Sequence, residues 1–148
     1  LTTYRKLAEA ALDQLKTVFH HRSKPWTADA ALPGAENLQS IEQLIVEIQQ
    51  KVRGVSSSLA SRWAHAYGTR VWILLNQLTS TDELGQNFGH GLYAQEVDYL
   101  VEHEWARSSE DILQRRTKLY LQFSEAEVDI LDEYLMEIRI KKKAQDVA

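Results

Sequence analysis

The chain has 148 residues, of which 44% are hydrophobic and 26% charged, an ordinary composition for a globular domain. Its net charge of −4 argues against nucleic acid as a main partner, because phosphate binding needs a concentrated cationic face. The densest apolar run, Val71–Leu75, is too short to span a bilayer, and no signal peptide is visible. The absence of cysteine excludes thiol chemistry and agrees with a cytoplasmic location.

The N-terminal part predicts one helix followed by a long connection. Apolar residues at helical spacing indicate an amphipathic helix from Thr3 to about Phe19. Residues 22–37 contain both prolines and predict a connection that is ordered, since Trp26 and Leu32 offer apolar anchors.

Two helices with recognisable ends are predicted next. The segment Ser40-Ile41-Glu42-Gln43 is a capping box, which indicates a helix running to about Val52. We expect Ser57 or Ser58 to cap the following helix, and Gly68 to end it in a left-handed conformation.

The second half predicts further short helices around an irregular stretch that contains three glycines. In order, these segments are Thr69–Leu78, a turn at Thr81–Leu84, the irregular residues 85–91, Ala94–Ala106, a segment capped by Ser108 or Ser109 that reaches about Lys118, and a last helix opened by the capping box Ser124–Glu127. In the helix that begins at Ala94, we expect Val97, Leu100, Val101 and Trp105 to face inward. The fold is therefore predicted to be all-α, an irregular bundle of about six to eight helices forming a single domain over residues 1–148.

The residues by themselves name no active site. Glu102, His103 and Glu104 are adjacent and point about 100° apart on a helix, so they cannot share one metal ion. No glycine-rich phosphate loop and no Gly-x-Ser-x-Gly elbow is present. A stand-alone metal-dependent enzyme is therefore disfavoured.

Two charged groups admit both a structural and a functional interpretation. Asp111, Arg115 and Arg116 fit ion pairs within or between helices, or an arginine fork that docks on a partner surface. The basic run Arg139–Lys143 fits favourable charge at a helix C-terminus, or a weak contact with anionic lipid.

Several segments, in the right order, resemble the C-terminal helical domain of FAD-dependent glycerol-3-phosphate dehydrogenases and oxidases. The start, Leu1-Thr2-Thr3-Tyr4-Arg5, is similar to the second half of the family's Gly-Gly-Lys-x-Thr-Thr-Tyr-Arg segment. The later matches are Leu32-Pro33-Gly34, Leu59, Tyr67-Gly68, Leu74-Leu75, Gly89-His90, Tyr93–Val97, Tyr99–Val101, Glu104 and Asp111–Thr117. Trp105 stands where many relatives carry alanine, and Glu-His-Glu-Trp looks more like the aerobic, quinone-linked bacterial branch.

The resemblance implies part of an enzyme that oxidises sn-glycerol 3-phosphate to dihydroxyacetone phosphate, with FAD passing electrons to quinone. It implies that the FAD and substrate sites lie in a larger N-terminal portion, so this chain alone would be inactive and would bind no FAD. Leu1, Thr2 and Thr3 would then contact the cofactor in the whole enzyme, at the positive end of the first helix. For these threonines, an ordinary helix N-cap is the structural alternative.

The resemblance also suggests partners and a location. The missing FAD domain would be the main partner. Quinone and the membrane surface would be reached through the full-length enzyme. The formation of a homo-oligomer is left as an open alternative. The full-length enzyme would be cytoplasmic and peripherally associated with the membrane. The alternative from another class is a free-standing helical protein-interaction module with no enzymatic parent.

Overall fold

The computed structural model describes residues 4–19, 24 and 26–145, and the chain divides into two compact units, Leu1–Leu32 and Pro33–Ala148. In the first unit, helix α1 spans Tyr4–Phe19, close to its predicted bounds. The connection that follows was expected to be anchored by Trp26 and Leu32. That expectation was wrong, because both side chains are mostly exposed. The Thr27 hydroxyl donates to the carboxylate of Glu9 on α1 instead.

The second unit is helical throughout its regular parts, which confirms the predicted all-α class. Five α-helices follow in order: α2 (Ile41–Lys51), α3 (Ser57–Tyr67), α4 (Val71–Leu75), α5 (Ala94–His103) and α6 (Glu125–Gln145). Short 3-10 turns at Gly68–Arg70, Thr81–Glu83 and Leu119–Leu121, and a π-helical turn at Asp111–Arg116, connect them. Within the described residues, only isolated β-bridges accompany the helices.

The core of the second unit forms where α2, α3, α4 and α5 bury their apolar faces. Helix α2 contributes Ile48 and α3 contributes Trp63, and both side chains are fully buried. The remaining large side chains of this core are Leu74, Leu75, Leu84, Leu92, Leu100, Ile112 and Leu131. The irregular stretch before α5 and the last helix therefore complete the same core as the four central helices.

Side-chain caps define the beginnings of three helices. The Ser40 hydroxyl accepts from the Gln43 amide at 3.1 Å as predicted, but the Gln43 side chain bonds Glu47 and does not close the box. The box before α6 is complete, since Glu127 accepts from the Ser124 amide at 2.8 Å and donates its own amide to the Ser124 hydroxyl.

The cap of α3 was predicted at Ser57 or Ser58, one or two residues too late. Ser56, in extended backbone conformation, accepts from the Leu59 amide at 3.2 Å, whereas Ser57 already lies inside the helix. Three successive serines satisfy the same sequence signal, and backbone conformation decides among them.

Gly68 ends α3 at φ +53° and ψ −139°. The positive φ is as predicted, but the ψ value lies outside the left-handed helical conformation that the sequence predicts. A Cβ atom there would lie 2.0 Å from the Gly34 carbonyl oxygen, which accepts from the Thr69 amide at 2.8 Å. The sequence predicts one short helix over Thr69–Leu78. The structure instead has the 3-10 turn Gly68–Arg70 followed by α4, which ends at Leu75.

The helix predicted to run to Ala106 ends at His103, and Trp105 does not face inward. Trp105 adopts φ +59° and is 82% exposed. With Trp105 at this positive φ, the Ala106 amide donates to the Leu100 carbonyl at 3.1 Å, and the Ala106 side chain lies in the core. Ala106 therefore takes the inward position that was assigned to Trp105.

Candidate functional site

The residues predicted to touch the cofactor, Leu1, Thr2 and Thr3, lie outside the described residues. The described part of α1 begins at Tyr4. The first turn of α1 contains no acidic residue, so no carboxylate side chain of that turn neutralises its free amides.

A buried ionic network that the sequence analysis missed joins α3 to α5. Glu96, in the first turn of α5, is fully buried and accepts two hydrogen bonds from the Arg62 guanidinium, at 2.6 and 2.7 Å. The Trp63 indole donates to the same carboxylate at 2.9 Å and the Tyr67 hydroxyl at 2.6 Å. Arg62 also donates to the Gly91 carbonyl at 2.8 Å. We call Arg62, Trp63, Tyr67 and Glu96 the Glu96 network.

The electrostatics of the network favour a charged pair beside a neutral tyrosine. Burial would lower the pKa of Arg62, but its hydrogen bonds and attraction to Glu96 outweigh that effect and raise the pKa. Burial, and then the negative charge of Glu96, raise the pKa of Tyr67 well above its ordinary value. Tyr67 therefore stays a hydrogen-bond donor at neutral pH.

The arrangement of donors defines what Glu96 can do chemically. Each carboxylate oxygen accepts two of the four hydrogen bonds, which uses the acceptor capacity of the group. A saturated carboxylate has no position left for a metal ion or for a proton taken from a substrate. The Glu96 network thus fixes α5 against α3 and is a structural element of the fold.

An aromatic row extends from this network toward the end of α5. The Tyr67 and Tyr99 rings meet edge to face at 5.3 Å, and the Tyr99 and His103 rings lie 5.1 Å apart. Arg70 donates to the Tyr99 hydroxyl at 2.9 Å and lies over its ring. His103 is therefore the last member of a row of aromatic rings in contact.

The acidic and basic residues after α5 form ion pairs, as one of the two sequence interpretations predicts. Arg115 pairs with Asp111 at 2.6 Å and with Glu110 at 2.7 Å. Arg116 reaches back and donates to the Glu104 carbonyl at 2.8 Å. The segment is a π-helix, in which the Thr117 amide bonds the Ile112 carbonyl five residues earlier. This rare geometry is frequent at functional sites.

One feature of the sequence indicates the Glu96 network, namely an acidic residue on a helix face that is predicted to be buried. Glu96 lies four positions before Leu100, on the face of the helix that was predicted to be buried, where an acidic residue requires a partner. The partner itself could not be named, since Arg62 is 34 residues away on another helix.

Two other kinds of feature are absent from the described residues. They contain no group of three or more histidine or acidic side chains placed to hold a metal ion. None of their helices is long and apolar enough to cross a membrane.

Comparison with known proteins gives the setting for this architecture. Residues 25–143 match the family described as the C-terminal domain of alpha-glycerophosphate oxidase. A glycerol-3-phosphate dehydrogenase of Pseudomonas aeruginosa is 50% identical over 135 residues, which is 91% of this chain and 26% of that protein.

Two further relatives cover a similar part of the chain. The aerobic glycerol-3-phosphate dehydrogenase of Escherichia coli is 38% identical over 80% of this chain and 24% of that protein. The D-erythritol 1-phosphate dehydrogenase of Brucella abortus is 37% identical over 86% of this chain and 26% of that protein. The chain thus spans about a quarter of the length of the curated relatives it matches. On the match over residues 25–143, the chain belongs to the family of the C-terminal domain of alpha-glycerophosphate oxidase.

Proposed function

We propose that this chain is the C-terminal accessory domain of an FAD-dependent dehydrogenase that oxidises sn-glycerol 3-phosphate to dihydroxyacetone phosphate and passes electrons to quinone. The observation that carries the proposal is the family match over residues 25–143, supported by two relatives named as dehydrogenases of this substrate. A free-standing interaction module is not favoured, because these relatives are about four times as long as the matched region.

The substrate class has one specific competitor. The relative from Brucella abortus is named for D-erythritol 1-phosphate, and its identity to this chain is within one percentage point of that of the Escherichia coli enzyme. Glycerol 3-phosphate remains the first choice because the relative with 50% identity bears that name. Both compounds are phosphorylated polyols, so they form one substrate class.

We place the FAD contact of this domain at Leu1, Thr2 and Thr3. FAD, when bound, accepts the hydride from the substrate, and the positive end of α1 would stabilise negative charge on the reduced ring. The lack of acidic residues in the first described turn of α1 supports this placement, because no carboxylate there competes for the positive end of the helix. The domain alone, without the larger part of the enzyme that would hold the substrate site and the rest of the FAD site, is expected to be inactive.

The full-length enzyme is proposed to be cytoplasmic and to bind the membrane surface peripherally, where it meets quinone. A homo-oligomer is compatible with this arrangement. Sedimentation of the purified full-length protein with anionic vesicles tests the membrane contact, and an enzyme that stays entirely in the supernatant contradicts it.

The test of function is an assay of the full-length protein. It should copurify with FAD and reduce a quinone analogue when glycerol 3-phosphate is added. D-erythritol 1-phosphate serves as the competing substrate in the same assay. A full-length protein that binds no flavin contradicts the proposal, and a strong preference for D-erythritol 1-phosphate overturns the substrate assignment.

A further inference from the structure

Trp105 combines great exposure with an unusual backbone conformation. Its side chain is 82% exposed, whereas Trp63 is fully buried. Its φ of +59° lies in the left-handed region, which a large side chain rarely adopts. Isolated exposed aromatics need no explanation, but one held in a strained conformation does.

The turn that carries Trp105 is held on both sides. The preceding carbonyl, that of Glu104, accepts from Arg116 at 2.8 and 3.3 Å. The following residue, Ala106, is fully buried and its amide bonds Leu100. The indole is consequently presented by a fixed backbone, which lowers the entropy lost when a partner covers it.

The guanidinium of Arg107 favours a partner that offers a carboxylate at this point. Arg107 is exposed, and within the described residues its guanidinium enters no ion pair or hydrogen bond. The backbone at Arg107 is fixed, because its amide donates to Asp111 at 2.9 Å and its carbonyl accepts from Arg139. An exposed tryptophan beside an available arginine is the composition typical of interface hot spots.

The length of the relatives indicates the occupant. About three quarters of each lies outside the region that this chain matches, and the family is described as a C-terminal domain. We propose that Trp105 and Arg107 form the central contact by which this domain docks on the rest of its own full-length polypeptide. The indole enters an apolar pocket of the FAD-binding part, and Arg107 meets a carboxylate at its rim. This inference rests on the proposed function for the identity of the partner.

The test is hydroxyl-radical footprinting of the full-length protein with mass spectrometry, in the native state and in urea. Docking predicts that native Trp105 is oxidised at least tenfold more slowly than in urea, as is the buried reference Trp63. Oxidation of native Trp105 at close to the urea rate overturns the proposal. So does protection that disappears on dilution, which indicates a second copy, or that requires added vesicles, which indicates a membrane.

Variants of the full-length protein give a second measurement. We expect Trp105→Ala to lower the unfolding midpoint of the full-length protein by several degrees, and Trp105→Phe to lower it less because the ring keeps part of the contact. Met136→Ala, at a 59% exposed position on α6, is the matched control. Equal midpoints for Trp105→Ala and the control contradict docking. Flavin content and activity are scored separately, so a protein without FAD refutes the proposed function while the footprint still reports on docking.

Discussion

At the level of single residues, the four hydrogen bonds to Glu96 predict a large loss of stability when this side chain is replaced. Removing one charge of a buried pair leaves the other uncompensated, which costs about 3–5 kcal/mol. Because Arg62 retains some exposure and its bond to Gly91, we expect Glu96→Gln to lower the free energy of unfolding by about 3 kcal/mol in urea titrations.

Glu110→Gln is the matched control, because it breaks a pair with Arg115 in which both side chains are 54% exposed. An exposed pair contributes about 0–1 kcal/mol, so this control should remain close to the unsubstituted protein. If the two variants lose the same stability, the Glu96 network does not stabilise the packing of α3 on α5.

Tyr67 gives the second prediction at this scale, a dependence of stability on alkaline pH. Burial and the charge of Glu96 raise the pKa of Tyr67 in the folded state above its unfolded value near 10. The stability that this group contributes is complete below about pH 10 and is lost as pH rises toward the folded pKa. Above pH 10 the unfolded state releases this proton first, at a cost of about 1.4 kcal/mol per pH unit.

Unfolding free energies measured from pH 9 to pH 11 test this prediction. We expect Tyr67→Phe to be less stable at pH 9, because Glu96 loses a donor, but to lose stability less steeply above pH 10. Tyr120→Phe, at an exposed position, is the control. Parallel pH profiles for Tyr67→Phe and the unsubstituted protein would contradict a raised pKa for Tyr67.

At the level of elements, local signals predicted the helices well and their ends less well. The apolar spacing of α2, α5 and α6 located these helices, because periodicity reports directly on the buried face. The exact cap among Ser56, Ser57 and Ser58 and the early end of α5 depend on tertiary packing. The burial of Ala106 in place of Trp105 is one such effect, since it requires a left-handed residue that composition does not reveal.

The end of α3 allows a prediction about the close approach of the backbone at Gly68 to that at Gly34. Gly68 lies at φ +53°, and a Cβ atom there would meet the Gly34 carbonyl oxygen at 2.0 Å, so backbone must move. We expect Gly68→Ala to cost about 3 kcal/mol in urea unfolding, from strain combined with steric overlap.

Gly91→Ala provides a comparison at another positive φ. Its Cβ would meet only a side-chain atom of Leu59 at 3.4 Å, an ordinary contact, so the cost is conformational and close to 1 kcal/mol. A Gly91→Ala variant as unstable as Gly68→Ala would show that positive φ, rather than the contact with Gly34, determines the loss.

At the level of the whole molecule, the residues identified the fold class but not the enzyme. Helical periodicity and capping residues are local features of the sequence, so a single sequence is enough to recognise them. The Glu96 network depends on contacts more than 25 residues apart, which no local pattern records. The enzymatic setting rests on the ordered motif resemblance and on the family match, because the residues by themselves show no catalytic pattern.

The proposed position of Leu1, Thr2 and Thr3 leads to a prediction for the full-length enzyme. If the first amides of α1 stabilise the reduced flavin, then replacing the threonine hydroxyl that orders this helix start weakens a favourable charge–dipole interaction of about 0.5–1 kcal/mol. For a two-electron couple this corresponds to about 10–20 mV, so Thr2→Val or Thr3→Val should lower the flavin reduction potential by that amount. Thr27→Val, whose hydroxyl bonds Glu9 instead, is the control. Flavin reduction potentials are measured by spectroelectrochemistry. Equal potentials in all three variants would contradict an interaction between the start of α1 and the flavin, and would favour the alternative that the two threonines only cap the helix.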